Sequence, residues 1–319
     1  MHRLLVLLVA CAAASAAAQT YPARPLTIVN GFPPGGPTDA ALRPIAAKLA
    51  ERLGQPVLVE NRPGAAGVLG AAAVAHAAPD GYFLLFGVAA NLAVAPATMR
   101  KPPYDPVKAF APVGEIARGP YLWLVRGDNP AHNMAEFVAW TREHPGKVNY
   151  ASPGRGSVHH IASEMLKQKT GADMTHVPYK GGSALAAALL GGEVQAMIES
   201  PSPYLANIRA GKLRALAVTG ERRLPALPDV PTFDEQGIHG LDVHSWWGLV
   251  GPAGMPKDAV ARLNAELRAV LSDPQMQQLF AKMNVTPTPG TPEAFAAYIA
   301  EEWQRWQRFA RTPGLNLAD

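Results

Sequence analysis

Residues 26 to 61, LTIVNGFPPGGPTDAALRPIAAKLAERLGQPVLVEN, decide the fold. Leu26, Ile28 and Val29 form a short apolar run suited to a strand buried in a parallel sheet. Gly35 and Gly36 permit a turn with positive φ and let a ligand approach the backbone. Thr38 and Asp39 are N-cap residue types, and Leu42, Ile45, Ala46, Leu49 and Leu53 follow at helical spacing. Gly54 stops the helix, and Val57 to Val59 is the next strand. A glycine turn feeding a helix N-terminus presents free N–H groups and the positive end of the helix dipole, which is an anion site. Pro44 would remove a backbone bond in a helix starting at Ala40, so the helix either begins nearer Ala41 or kinks.

The second half of the chain repeats this pattern. Val148 to Ala151 reads as a strand and Ser152-Pro153-Gly154-Arg155-Gly156-Ser157 as a second glycine turn. The helix after it carries Val158, Ile161, Met165 and Leu166 and ends at Gly171. Further strands at 174–177, 194–198 and 213–218 alternate with a helix capped by Ser183 after the turn Pro178-Tyr179-Lys180-Gly181-Gly182. In the first half, Ala65 to Ala78 is a small-residue helix and Tyr82 to Val88 a third strand. Residues 89–112, with Asn91 and Tyr104-Asp105-Pro106, read as irregular. Ile116 to Val125 is extended and interrupted at Gly119-Pro120, a crossing between domains. Strands alternating with helices place the chain in the α/β class with mainly parallel sheets. The C-terminal part is helical, with Pro256, Pro274 and Pro292 in first turns, the last two after Asp273 and Thr291 as caps. Phe295, Tyr298, Ile299, Trp306 and Phe309 make a core-facing stripe on the last helix.

The 319 residues leave room for two domains, and 48% hydrophobic against 17% charged residues is a folded composition. A net charge of +4 without Lys/Arg runs gives no nucleic-acid footprint. His2 and Arg3, the apolar Leu4 to Ala14 and the small residues before Gln19 form a secretory leader, cleaved near Ala18. The single cysteine, Cys11, falls inside it, so the mature chain needs no disulfide. Leu8-Val9-Ala10-Cys11 only loosely matches a lipoprotein box, because the apolar run before it is very short.

YPARPLTIVNGFPPGGPTDAALR, VENRPGAAG, PDGYFLLFG, NYASPGRGSVHHIASE, HVPYKGG, LLGGEVQAMIES, LRALAVTGERR and LPDVPTFDEQG together resemble the Bug proteins, periplasmic solute receptors of tripartite tricarboxylate transporters. The resemblance covers nearly the whole mature chain. It implies a two-lobed, type II periplasmic-binding-protein fold with the ligand cleft between the lobes. Residues 1–18 would be the signal peptide, 19–120 plus 240–319 one lobe and 121–239 the other. It implies a small mono- or dicarboxylate as ligand, no cofactor, and a monomer that meets large and small membrane permease subunits. The ligand contacts would fall on Phe32, Gly35, Gly36, Thr38 and Asp39 in one lobe and on Ser152, Gly154, Gly156 and Ser157 in the other. Pro34, Pro37 and Arg155 depart from the usual family pattern, which leaves the ligand's identity open. The lobes are expected to close about Ala117–Leu122 and a segment between Val218 and Trp247.

Plainer readings stand beside these. Arg155 either faces solvent or reaches a second ligand carboxylate with a bidentate contact. Asp39 is either an N-cap or an acceptor for a ligand amine, hydroxyl or water. His159 and His160 point to different helix faces, and His239 and His244 do not converge, so no metal site is expected. A hydrolase using Ser157 and His160 lacks a third group and an oxyanion hole, and His159 replaces the second glycine of a nucleophile elbow. Gly154-x-Gly156 lacks the third glycine of a dinucleotide fingerprint. Trp246 and Trp247 either bury against the hinge, which is the expectation, or present one ring to the cleft. A sensory role, docking a membrane-bound kinase in place of a permease, would use the same ligand-closed surface.

Overall fold

The computed structural model describes residues 21–179, 182–241 and 243–311. Residues 1–20, with Cys11, and the Lys180-Gly181 part of the turn lie outside the described residues, and Ser183, expected as a cap, falls within the helix Gly182–Gly191.

Two mixed sheets organise the chain. The first is built from β1 (Leu26–Asn30), β2 (Val57–Asn61), β3 (Phe83–Val88), β4 (Phe110–Pro120), β10 (His244–Pro252) and β11 (Thr286–Pro287), in the order β11-β4-β10-β3-β1-β2. The second is built from β5 (Leu122–Arg126), β6 (Asn149–Ser152), β7 (Thr175–Pro178), β8 (Ala196–Glu199) and β9 (Leu213–Val218), in the order β7-β6-β8-β5-β9. In each, three strands run parallel with the earliest of them in the middle, β2-β1-β3 and β7-β6-β8. An antiparallel strand, β10 or β5, then extends the sheet. The repeat expected from the two glycine turns is therefore a repeat of topology.

Helix α1 (Pro37–Leu53) follows β1, and its Leu42, Ile45 and Leu49 pack with Leu26 and Ile28. It starts earlier than the sequence suggested, with Gly36 as N-cap and Pro37 in the first turn, so Thr38 and Asp39 are inside it. Proline suits that first position because its missing N–H would be unpaired there anyway. The helix continues through Pro44. Helix α2 (Val68–Ala75) follows β2 and buries Val68, Ala71 and Val74 against the opposite face with Val29 and Leu85. Part of the region expected to be irregular is helical: a π turn at Ala90–Val94 runs into α3 (Ala95–Thr98) and buries Leu92 and Val94.

In the second sheet, α4 (Met134–Glu143) and α5 (Val158–Thr170) cover one face. Helices α6 (Gly182–Gly191) and α7 (Leu205–Arg209) cover the other, with Leu185 and Leu189 against Leu122 and Leu124. Helices α8 (Lys257–Leu271), α9 (Pro274–Met283) and α10 (Pro292–Ala310) finish the chain. Asp273 and Thr291 cap α9 and α10 as read from sequence, whereas Pro256 is the N-cap of α8 and not in its first turn. Phe295, Ile299 and Trp306 of α10 are buried, as are Trp246 and Trp247. Among the described residues no helix is long and apolar enough to cross a membrane.

The chain passes between the sheets at Tyr121 and again in the segment 219–243. The two crossings are tied together: Tyr121 N–H donates to Thr219 Oγ1 at 2.8 Å, and Thr219 N–H to the Tyr121 carbonyl at 2.9 Å.

Candidate functional site

In an open α/β sheet, ligands bind beyond the carboxyl ends of neighbouring strands whose connections leave toward opposite faces. Both sheets have such a point. In the first it lies between β1, which feeds α1 on one face, and β3, which feeds the π turn and α3 on the other. In the second it lies between β6, which feeds α5, and β8, which feeds α7 across the sheet. The two glycine turns sit at these two points.

The first turn is held from behind by Asp39. Its buried carboxylate accepts from Gly35 N–H at 3.0 Å, Arg43 Nε at 2.8 Å and Asn61 Nδ2 at 3.0 Å. The Arg43 hydrogen bond, followed by that of Gly35, keeps this carboxyl well below the ordinary aspartate range. Asn61 Nδ2 also donates to the Phe32 carbonyl at 3.0 Å, so β2 fixes both ends of the loop. Gly35 takes φ +78°, the conformation anticipated for it, while Gly36 is extended. Thr38 is half-buried, and its Oγ1 is buried without a partner.

A third segment joins this site that sequence reasoning had assigned to a helix. Ala65, Ala66 and Gly67 form a turn with φ of 48°, 55° and 87°. Left-handed backbone costs an alanine about 1–2 kcal/mol, so the surroundings must impose it. Gly67 abuts the start of the first loop: a Cβ on Gly31 would lie 2.7 Å from the Gly67 Cα. Phe32 and Asn91 close over Gly67 from the other side. Asn91, expected in a loop, is fully buried in the π turn, where its Oδ1 accepts from Val88 N–H at 2.8 Å. Asn91 Nδ2 and both amide atoms of Asn30, the last residue of β1, are buried without partners. Unpaired buried polar atoms are uncommon in folded proteins.

The second turn is an internal hydrogen-bond lattice. Ser157 is the N-cap of α5: its Oγ accepts from His160 N–H at 3.2 Å and donates to the Gly154 carbonyl at 2.7 Å. Gly154 N–H donates to Ser152 Oγ at 3.1 Å and Gly156 N–H to His160 Nδ1 at 3.1 Å. The Ser157 hydroxyl thus meets a backbone amide and a carbonyl, and the His160 Nδ1 that a hydrolase would need serves Gly156. Arg155 is exposed within this turn. Glu199, at the end of β8, holds His159 Nε2 at 3.2 Å, and Tyr121 of the first crossing meets the His159 ring edge-on at 5.1 Å. His159, Glu199 and Tyr121 were not singled out as site residues. Nothing in their spacing announces them, because α5, β8 and the crossing meet only through the topology.

Among the described residues no group of His, Cys, Asp or Glu is arranged to hold a metal ion. A groove of about 620 Å³ lies between α1 and the edge strand β2, lined by Arg43, Ala46, Val57, Leu58 and Glu60. It opens on the outer edge of the first sheet and includes none of the turn residues.

Residues 41–315 match the family described as the tripartite tricarboxylate transporter family receptor. The chain is 36% identical to the protein BugT of Bordetella pertussis over 306 residues, 96% of this chain and 94% of that one. MatC of Rhodopseudomonas palustris, solved with bound malate, is 35% identical, with a TM-score of 0.81 over 91% of this chain and 100% of MatC. A second R. palustris protein, solved with adipate, is 33% identical, with a TM-score of 0.84 over 94% of this chain and 100% of that one. The two-lobed periplasmic-binding-protein fold is thus shared along nearly the full length, and the chain belongs to the solute-binding receptors of the tripartite tricarboxylate transporter family.

Proposed function

We propose that this protein captures a small mono- or dicarboxylate in the periplasm, between a lobe of residues 19–120 plus 240–319 and a lobe of 121–239. It acts as a monomer and hands its ligand to the large and small permease subunits of a tripartite transporter. The observation that carries this reading is the pairing of two helix N-termini, each behind a glycine turn, at the switch points of two sheets. First-turn N–H groups have no partner within their own helix. By position these are Thr38 and Asp39 in α1, and Val158 and His159 in α5. They are the donors a carboxylate would take, since Gly35, Gly154 and Gly156 already spend their N–H groups on holding the turns. In this reading Phe32, Gly36 and Gly156 shape the cleft and give the ligand access to the backbone, while Asp39, Ser152 and Ser157 fix the donors. Relatives solved with malate and adipate support the ligand class.

Charge-assisted hydrogen bonds contribute roughly 1.5–3 kcal/mol each. Three or four of them, less the cost of ordering, reach about micromolar affinity. A thermal-shift screen of acetate, pyruvate, succinate, malate, adipate and citrate against neutral sugars and divalent cations is expected to show stabilisation by acids alone. Stabilisation by sugars or cations with none by any acid would refute the reading.

Arg155 sorts mono- from dicarboxylates in this scheme. It is exposed within the second turn, beside the N-terminus of α5. A guanidinium there can hold a far carboxylate with two parallel hydrogen bonds while the helix end holds the near one. Arg155→Ala is expected to weaken dicarboxylates roughly tenfold, about the worth of one charged contact, and leave monocarboxylates nearly unchanged. Titration calorimetry with succinate and pyruvate tests this. Equal loss for both acids would indicate a damaged turn, and no loss would leave Arg155 a surface residue.

A further inference from the structure

Beneath the second glycine turn lies a pair of histidines. His160, from the first turn of α5, and His176, from β7, stack with ring centroids 4.0 Å apart and planes 25° from parallel. Each touches the turn at a different place. His160 Nδ1 accepts Gly156 N–H at 3.1 Å, which requires that nitrogen to be unprotonated. His176 Nε2 lies 2.6 Å from Ser152 Oγ, the hydroxyl that also receives Gly154 N–H. We propose that His160 and His176 are positioning residues: as a neutral stacked pair they fix the Gly154 and Gly156 backbone, and so hold the N-terminus of α5 in its ligand-receiving geometry. The inference rests on the carboxylate-receptor reading above.

The surroundings keep the pair neutral. Burial is the largest influence on both rings and disfavours the charged form. Arg155 from the turn and Lys167 from α5 oppose a further positive charge, while Glu164 of the same helix favours one. Glu164 is itself engaged by the Tyr150 hydroxyl at 2.6 Å and by Lys167 Nζ at 2.8 Å. Tyr150 of β6 lies alongside both imidazoles. His176 is pushed down to about 4 from an ordinary 6.5, and His160 is lowered too. Between those two values the unfolded chain takes up a proton that folded His176 refuses. The His176 contribution is therefore complete above about pH 6.5 and declines as pH falls toward 4, and the lowered His160 acts in the same sense. A proton on His160 Nδ1 would also face the Gly156 N–H and release it.

The test separates the tether from the packing of the rings. His160→Phe keeps a stacked ring without an acceptor, and His160→Asn supplies an acceptor near the Nδ1 position without titrating. At pH 7.5, calorimetry with malate and adipate is expected to show at least tenfold weaker binding for His160→Phe. His160→Asn should stay within about threefold of wild type. His176→Phe and His176→Gln should differ in the same sense, which keeps the test decisive if one His160 variant fails to fold. Wild-type affinity should be flat from pH 8 to 6.5 and fall more steeply below pH 5 than that of the His160→Asn, His176→Gln double variant. The ratio of the two proteins at each pH cancels the acid's own ionisation. Equal losses for the Phe and amide variants, or identical pH profiles, would overturn the positioning role while leaving the receptor reading intact. Wild-type protein that binds no acid at pH 7.5 would remove both.

Discussion

Glu302→Ala is expected to destabilise the protein by roughly 3–4 kcal/mol, the largest single-residue effect anticipated outside the glycine turns. Glu302 lies on α10 with only 4% of its surface exposed. One carboxylate oxygen, Oε2, accepts the indole N–H of both Trp246 and Trp306 at 3.2 Å, and the other accepts from Arg305 at 3.0 Å. Both indoles are buried, so truncation strands two N–H donors and leaves a void beside two large rings. Trp246 enters β10 directly after the second crossing, and its ring packs edge-on to Phe295 and Tyr298. Arg118 of β4 lies over Tyr298 at 3.6 Å and pairs with Glu115, so the damage should reach the first crossing strand as well. Glu302→Gln discriminates the causes. Its amide oxygen can serve both indoles while its NH₂ faces Arg305, so it should cost only about 1 kcal/mol. Urea unfolding followed by tryptophan fluorescence measures both variants. Near-equal losses would mean that the Arg305 pair, not the shared indole acceptor, supports the crossing.

Much of this fold was legible because its signals are local. Gly54 and Gly171 take left-handed φ and end their helices, Ser157 caps α5, and the alternation of Leu26 and Ile28 with Val29 assigns residues to two packed faces. The misreadings share a physical origin, namely tertiary contact overriding local preference. Pro37 serves as a first-turn residue and Pro44 is accommodated within one continuous helix, where propensity alone suggested a later start or a kink. Ala65 and Ala66, good helix formers, are forced left-handed where the backbone of Gly31 meets Gly67. Residues 90–98 look irregular by composition yet wind into a helix because Asn91 and Leu92 fill the space under β3. The glycine turns themselves could be located by pattern. The lattice that fixes them could not, because Asp39–Asn61 and Ser152–His176 are bonds between elements distant in sequence.

Asp39 stands at the centre of the first such lattice, and its replacement should have the largest effect on binding. The sequence offered two roles for it, N-cap or acceptor for the ligand. In the structure its carboxylate is already engaged by Gly35 N–H, Asn61 Nδ2 and Arg43 Nε. It therefore anchors the loop whose backbone would meet the proposed ligand. Asp39→Ala frees Gly35 and removes one of the two bonds by which Asn61 Nδ2 ties β2 to the loop, leaving only that to the Phe32 carbonyl. The N-terminus of α1 would then have to be ordered by the ligand itself. Ordering a few residues costs about 1–2 kcal/mol each, so carboxylate affinity should fall roughly thirtyfold or more. Arg43 is half-exposed, so the charge pair adds little through water and most of the effect belongs to Gly35 and Asn61. Asp39→Asn keeps one acceptor and should lose less than half as much on a logarithmic scale. Because folding lowers the pKa of this carboxyl, its stabilisation is complete above the ordinary aspartate value near 4. That stabilisation is lost as pH falls below this value. The wild type should therefore lose stability below pH 4 more steeply than Asp39→Ala. Calorimetry with malate at pH 7.5 and thermal melts from pH 7 to 2.5 measure the two effects. Unchanged affinity in Asp39→Ala would show that the ligand does not depend on this loop.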